Sequence, residues 1–185
     1  MNQARRKARI GLVVVKAAVD GAAYFLMRAN SKWKDISLIG GHEKVRDSGD
    51  LSRTARRELW EEVPSVRTYS EFHLDPLTEI LHYGPIVSRS KGDEVEYDVQ
   101  FFLLRIESSP ATFVEALGSR TRNIWISEYD LLHSEKYRIS TWVQLLDRNL
   151  VNGLEGIGYS FVSDLRSFTH YFKTRDSSQL EFALK

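Results

Sequence analysis

An α/β fold, a mixed sheet with helices packed on it, is what the order of hydrophobic patterns predicts. Three observations carry that expectation. Short β-branched runs fill the first forty residues. One strongly amphipathic stretch follows them, from about Leu51 to Val63. After it the pattern returns to β-branched and aromatic runs, and helical spacing comes back only near residue 139.

Taken in order, "ARIGLVVVKAAV" is short and rich in valine, so it reads as one central strand. "VDGA" is a hairpin turn signal and "AYFLMRA" its return strand. "ISLIGG" is a third apolar run, stopped by paired glycines. A helix then runs from about Leu51 to Val63, with Asp50 as N-cap and Pro64 as stop signal. "VRTYSEFHL", "LTEILHYGPIVS" and "VEYDVQFFLLRI" read as strands, as does the short "NIWIS". "SEYDLLH" reads as a capped helical turn. Ile139, Trp142, Val143, Leu145, Leu146 and Leu150 recur at helical spacing. "FVSDLRSFTHYF" is read as one more helix.

Composition narrows the chemistry. The chain has 185 residues and a formal net charge of +1, so no global field recruits nucleic acid or anionic membrane. It has no cysteine, which excludes disulfides and thiolate metal sites and suits a reducing compartment. The start has the order of a signal peptide, basic residues and then an apolar run, but Lys16 and Asp20 interrupt that run. No stretch approaches the roughly 20 apolar residues of a membrane helix. The expectation is a cytoplasmic protein with no membrane partner.

The helix "ARRELWEEV", residues 55–63, is the most informative segment. At about 100° per residue, Leu51, Ala55, Leu59 and Val63 form one apolar stripe. Glu62 projects between Leu51 and Ala55, inside that stripe. Glu58, Glu61 and Glu62 share a side, at spacings that set neighbours about 5–6 Å apart. At an effective dielectric near 20, each such pair repels by about 3 kcal/mol. Arg56 and Arg57 offset part of this, and Arg57 and Glu61 form an i, i+4 pair. A solvated charged face is the commonest use of such a run, yet it gives no reason to set Glu62 among core positions. A hard divalent cation, Mg²⁺ or Mn²⁺, accounts for three oxygen ligands better. Trp60 lies opposite the stripe, either packed beneath another segment or left as an exposed aromatic; core or interface packing is favoured over substrate stacking.

With these residues in view, the sequence resembles the Nudix hydrolase family. "RELWEE", Arg57 to Glu62, matches the central Arg-Glu-apolar-any-Glu-Glu of that family's signature, and "SLIGGHE" resembles its strand-to-loop entry, with Gly40 and Gly41 as the glycine pair. The resemblance covers about residues 8 to 135 and implies an α/β/α sandwich with a mixed sheet. Three departures stand out. The interval from Gly41 to Arg57 is two residues longer than the pattern. Gly49 occupies the position of the upstream glutamate, with Asp47 and Asp50 nearby as substitutes. Pro64 replaces the glycine after the glutamate pair. The longer loop and the "EEVPS" ending also resemble Nudix domains associated with bacterial nucleotidyltransferase conflict systems.

The resemblance implies that Glu58, Glu61 and Glu62 bind Mg²⁺ or Mn²⁺. Glu58 or a carboxylate from another loop would take a proton from water, Glu61 would complete the catalytic set, and Arg57 would orient loop and helix. Gly40, Gly41 and His42 would shape the substrate loop. Glu94, Glu96 and Glu115 are candidates for a further acid, and Arg89 and Lys91 for phosphate contacts, although for each a surface charge is the commoner role. Trp33, Tyr83 and Tyr97 could stack on a base, with burial favoured for each. The implied activity is hydrolysis of a pyrophosphate bond in a nucleoside diphosphate linked to another group. The alternative is a nucleotide-binding sensor that does not turn its ligand over. The organisation expected is a Nudix-like domain over 1–135 and a C-terminal helical extension over 136–185. The apolar side of that extension either caps the sheet or forms a homodimer contact.

Overall fold

The first β-branched run is two strands, not one. In this computed structural model, β1 (Arg6–Val14) ends at Val15, and β2 (Lys16–Val19) continues in a different sheet. The structure describes residues 6–19, 21–68, 72–88, 92–106, 122–133 and 135–163. The same division splits "ISLIGG" into β4 (Asp35–Ser37) and β5 (Ile39–His42). Strands that pass from one sheet to the next in this way form the corners of packed sheets. Apolar runs cannot reveal such corners, because Val15 and Leu38 are as buried as the strand residues beside them.

Among the described residues there are two five-stranded sheets. In the first, β5 pairs β1, and β1 runs parallel to β8 (Glu94–Ile106). β8 is long enough to pair β7 (Leu81–Val87) along its first half and β6 (Phe72–Pro76) along its second. The second sheet centres on β3 (Ala22–Asn30), flanked by β2, by β4 and by β9 (Asn123–Ser127). β10 (Phe161–Ser163) joins it parallel to β2. Each sheet is thus mixed, as the sequence predicts, and β2 and β3 form the expected hairpin.

Side-chain alternation gives each sheet two buried faces. Ile10, Leu12 and Val14 join one core cluster, together with Val99, Phe101 and Leu103. Val13, Val15, Phe102 and Leu104 join another. Helix α1 (Leu51–Glu62) covers the second cluster with Leu51, Ala55 and Leu59, the predicted stripe. A short helix α2 (Glu128–His133) contributes Leu131 to the first. Helix α3 (Thr141–Asn149) covers that same cluster with Val143 and Leu146, joined by Leu154 and Ile157. The apolar side of α3 is therefore spent on the core of the sheets.

Three local expectations are corrected. Phe161–Ser163 is strand rather than helix, because the free edge of β2 accepts it and Phe161 packs edge-on against Trp125 at 6.1 Å. The rest of that run lies outside the described residues. In "VRTYSEFHL" the first three residues belong to a 3-10 turn, Pro64–Thr68, and the last three to strand, Phe72–Pro76; residues 69–71 lie outside the described residues. Its Val66 is drawn into the core beneath α1. Trp60 is 37% exposed, which is the exposed-aromatic alternative rather than the favoured core packing. No helix among the described residues is long and apolar enough to cross a membrane.

Candidate functional site

Two glycines set α1 on the sheet. A Cβ on Gly11 of β1 would lie 2.5 Å from the Leu51 carbonyl oxygen and 2.9 Å from the Ala55 nitrogen, so only glycine admits the helix this closely. On the neighbouring strand, a Cβ on Gly41 would lie 2.8 Å from the Glu58 carboxylate. That carboxylate fills the space a side chain would take. Asp50 caps the helix by accepting from the Ser52 nitrogen at 2.8 Å. At the other end, the buried Asn123 on β9 donates to the Glu62 carbonyl at 3.1 Å, satisfying one of the carbonyls a helix leaves open.

The loop between β5 and α1 is organised by Asp47 and Arg57. Asp47 is buried in a 3-10 turn, Val45–Asp47. Its carboxylate accepts from the Lys44 nitrogen at 2.9 Å, from Thr54 Oγ1 at 3.0 Å, and from Arg57 Nε and Nη2 at 3.0 and 2.8 Å. The Arg57 hydrogen bonds hold the Asp47 carboxyl far below the usual carboxylate range, against the opposing effect of burial. Arg57 is held correspondingly above its usual range by Asp47 and Glu58. Its Nη2 also donates to the His42 carbonyl at 2.8 Å, which ties the helix to the end of β5. Arg9 closes the outside of the loop, donating to the Gly49 carbonyl at 2.7 Å and to Glu43 at 3.3 Å.

The three glutamates diverge from this base. Glu58 is paired with Arg57 through Oε1. Glu62 accepts from the Gly40 nitrogen at 3.2 Å and pairs with Arg28 of β3. Burial raises the Glu62 pKa, and Arg28 opposes that rise without cancelling it. Glu61 is exposed and pairs with Arg46 at 2.6 Å, Lys44 at 3.3 Å and Arg57 at 3.5 Å. Desolvation pushes its pKa up, but Lys44 and Arg57 together outweigh that and leave it lowered. The donors are hard oxygens within one helical turn, the type that Mg²⁺ or Mn²⁺ takes. In this structure each carboxylate is aimed at a protein cation. Among the described residues, no three acidic or histidine side chains converge where a metal ion could sit.

Beside the helix a cleft of about 500 Å³ opens between the two sheets. Gly40, Gly41, His42 and Glu62 are among its lining residues. Arg28, Lys32 and Arg122 add basic groups, and Trp33, Tyr97 and Trp142 aromatic ones. The exposed ring of His42 sits in the concave wall, 6.2 Å from the Tyr97 ring. Protein around the ring displaces solvent and holds its pKa below the ordinary histidine value; Arg6 adds to this and Glu58 opposes it. His42 lines the cleft together with Gly40 and Gly41.

Arg57, Glu58, Glu61 and Glu62 lie in the last two turns of α1, their carboxylates turned to different partners; Gly41 lies against Glu58, the Gly40 nitrogen donates to Glu62 and the His42 carbonyl accepts from Arg57. Glu94 and Glu96 lie on β8, outside the residues that line the cleft. Glu115, Arg89 and Lys91 lie outside the described residues. The sequence reading did not single out Arg28, Lys32, Arg122 or Trp142 as site residues. Arg28 and Arg122 are brought close by strand pairing, through Arg28 opposite Asn123 and the Ala29 nitrogen bonding the Arg122 carbonyl at 2.7 Å. No short-range pattern announces pairs nearly a hundred residues apart.

No family model matches the sequence, and no curated protein matches it. Solved structures with partial likeness are Nudix proteins. Shewanella oneidensis NrtR overlaps 68% of this chain at 14% identity, with a TM-score of 0.49, and the overlap spans 55% of NrtR, about half its length. The NUDIX domain of NrtR complexed with ADP ribose overlaps 70% of this chain and 77% of its own, at 17% identity and a TM-score of 0.43. Caenorhabditis elegans Ap4A hydrolase overlaps 69% and 83%, at 18% identity and a TM-score of 0.45. Likeness of this extent does not fix activity, which has to be read from the residues of the site.

Proposed function

We propose that the chain is a divalent-cation-dependent Nudix-type pyrophosphohydrolase acting on a nucleoside diphosphate linked to another group. The observation that carries this is the junction of α1 with the cleft. A helix with three glutamates on one side is seated against Gly41, and Glu62 opens onto a pocket with basic and aromatic walls. Acid, base and ring are what a metal-assisted attack on a nucleotide diphosphate requires.

In this reading Glu58, Glu61 and Glu62 would hold Mg²⁺ or Mn²⁺. The cation, when bound, would neutralise phosphate charge and lower the pKa of the attacking water. Arg57 fixes the helix against the β5 loop through Asp47 and the His42 carbonyl, so it positions the glutamates rather than touching the ligand. Glu58 takes the proton of the attacking water. Arg28, Lys32 and Arg122 draw the phosphates into the cleft, where the low dielectric of its walls strengthens their pull. His42 and the glycine pair shape the wall against which the ligand lies.

A second reading has its own support. Each of the three glutamates is paired with a protein cation: Glu58 with Arg57, Glu61 with Arg46 and Lys44, Glu62 with Arg28. A site neutralised in that way would bind a nucleotide as a sensor without turning it over.

A panel of nucleoside diphosphate derivatives separates the two. It would include ADP-ribose, dinucleoside polyphosphates and nucleoside triphosphates, with Mg²⁺, Mn²⁺ or chelator, and Glu62→Gln alongside. Metal-dependent product release that is lost in Glu62→Gln supports the hydrolase. Silence across the panel, with thermal stabilisation by a nucleotide still present, supports the sensor.

A further inference from the structure

Part of the cleft lining comes from a segment that follows the glutamate motif by eighty residues. Trp142 stands in the first turn of α3 and lines the cleft while only partly buried. The Tyr97 ring meets it edge-on at 5.2 Å and 69°, and Tyr83 meets it at 6.0 Å and 71°. Two edge contacts of this kind fix an indole's orientation. The turn that carries Trp142 is itself anchored. The Ile36 nitrogen bonds the Arg138 carbonyl at 2.9 Å, the Ser140 nitrogen bonds the Ile36 carbonyl at 2.9 Å, and the Ser140 hydroxyl bonds that of Ser37 at 3.0 Å. A held aromatic surface that opens into a cavity is a stacking platform prepared before the ligand arrives.

The same cleft is also lined by charged side chains: Arg28, Lys32, Arg122 and Glu62. A ligand with one flat apolar end and one anionic end matches both, and the volume of about 500 Å³ falls within the range of small-molecule sites.

We propose that Trp142 is the base-stacking and specificity residue of this cleft, so that the ligand is a nucleotide whose aromatic base lies on Trp142 and whose phosphates face Arg28. This rests on the nucleotide reading of the cleft given above, but not on turnover.

Calorimetric binding of ADP and of inorganic pyrophosphate, both in chelator, tests it. The two share a diphosphate and differ in the base and sugar. Wild type should bind ADP at least about tenfold more tightly than pyrophosphate. Trp142→Leu keeps apolar volume but removes the π surface, and should lose about tenfold in ADP affinity with pyrophosphate unchanged. Trp142→Phe should stay within a few-fold of wild type. Equal ADP binding by wild type and Trp142→Leu overturns the proposal, as does equal loss for both ligands. Preferential ADP binding that depends on Trp142, in a protein inactive with every metal, keeps this proposal and removes the hydrolase reading. Absence of ADP binding by wild type overturns this proposal and leaves the hydrolase reading to the turnover panel with metal.

Discussion

The two ends of the Arg57 network use the same chemistry in different surroundings. At one end Asp47, with its side chain only 4% exposed, accepts hydrogen bonds from Lys44, Thr54 and Arg57. At the other end Glu61, with its side chain 38% exposed, faces Lys44 and Arg46, which are 50% and 61% exposed. The first pair is out of water, and losing either partner strands a buried charge. The second is screened and held by long flexible side chains, and such pairs contribute little. Burial, more than the count of ion pairs, therefore decides which carboxylate is structural. It also leaves Glu61 able to exchange its lysine and arginine for another cation, which a metal-binding role requires.

That contrast can be broken at four points. Asp47→Asn should cost most, roughly 3–5 kcal/mol of unfolding free energy at neutral pH, read by denaturant unfolding. Because the folded pKa of Asp47 lies below the unfolded value, its stabilisation is complete above the ordinary carboxylate range and is lost as pH falls through the folded value. The gap between wild type and Asp47→Asn should accordingly narrow on acidification below about pH 4. A gap that widens there would contradict the pairing with Arg57.

Gly11→Ala should come next. Its new Cβ would press on the backbone of α1, which cannot swing aside, and overpacking of this kind costs about 1–3 kcal/mol. Gly41→Ala meets only the flexible end of Glu58. It should cost under about 1 kcal/mol while moving the Glu58 carboxylate, so turnover should fall with the melting temperature nearly unchanged. Equal losses of stability from the two alanines would mean that helix seating and carboxylate placement are not separable. Arg46→Ala should matter least, within about 0.2–1 kcal/mol of wild type, and less again at high salt.

How much of this was legible in the sequence follows the same division. The apolar stripe of α1, its Asp50 cap and its Pro64 stop were all readable, because helix periodicity and capping are local. Glu62 inside the stripe was readable as an anomaly, and Arg28 on another strand explains why it is tolerated there. Asp47 could be named only as a nearby acid, because what makes it an anchor is its position under Arg57, set by a 3-10 turn that has no periodicity. The strand breaks at Val15 and Leu38 were hidden, since both residues are as buried as their strand neighbours, and even Lys16 beside the first break is buried. The cleft walls were hidden for a different reason. Trp142, Tyr97 and Arg28 come from α3, β8 and β3, and only the packing of the two sheets brings them to one cavity.

The central claim is that the α1 glutamates form a divalent-cation site at the mouth of that cleft. Titration of the protein with Mn²⁺, with free ion followed by electron paramagnetic resonance, tests it most directly when wild type is set beside Glu61→Gln and Glu62→Gln. The account predicts saturable Mn²⁺ binding in wild type that weakens strongly in both variants and is displaced by Mg²⁺. Mn²⁺ binding that is absent from wild type, or unchanged in both variants, would contradict it.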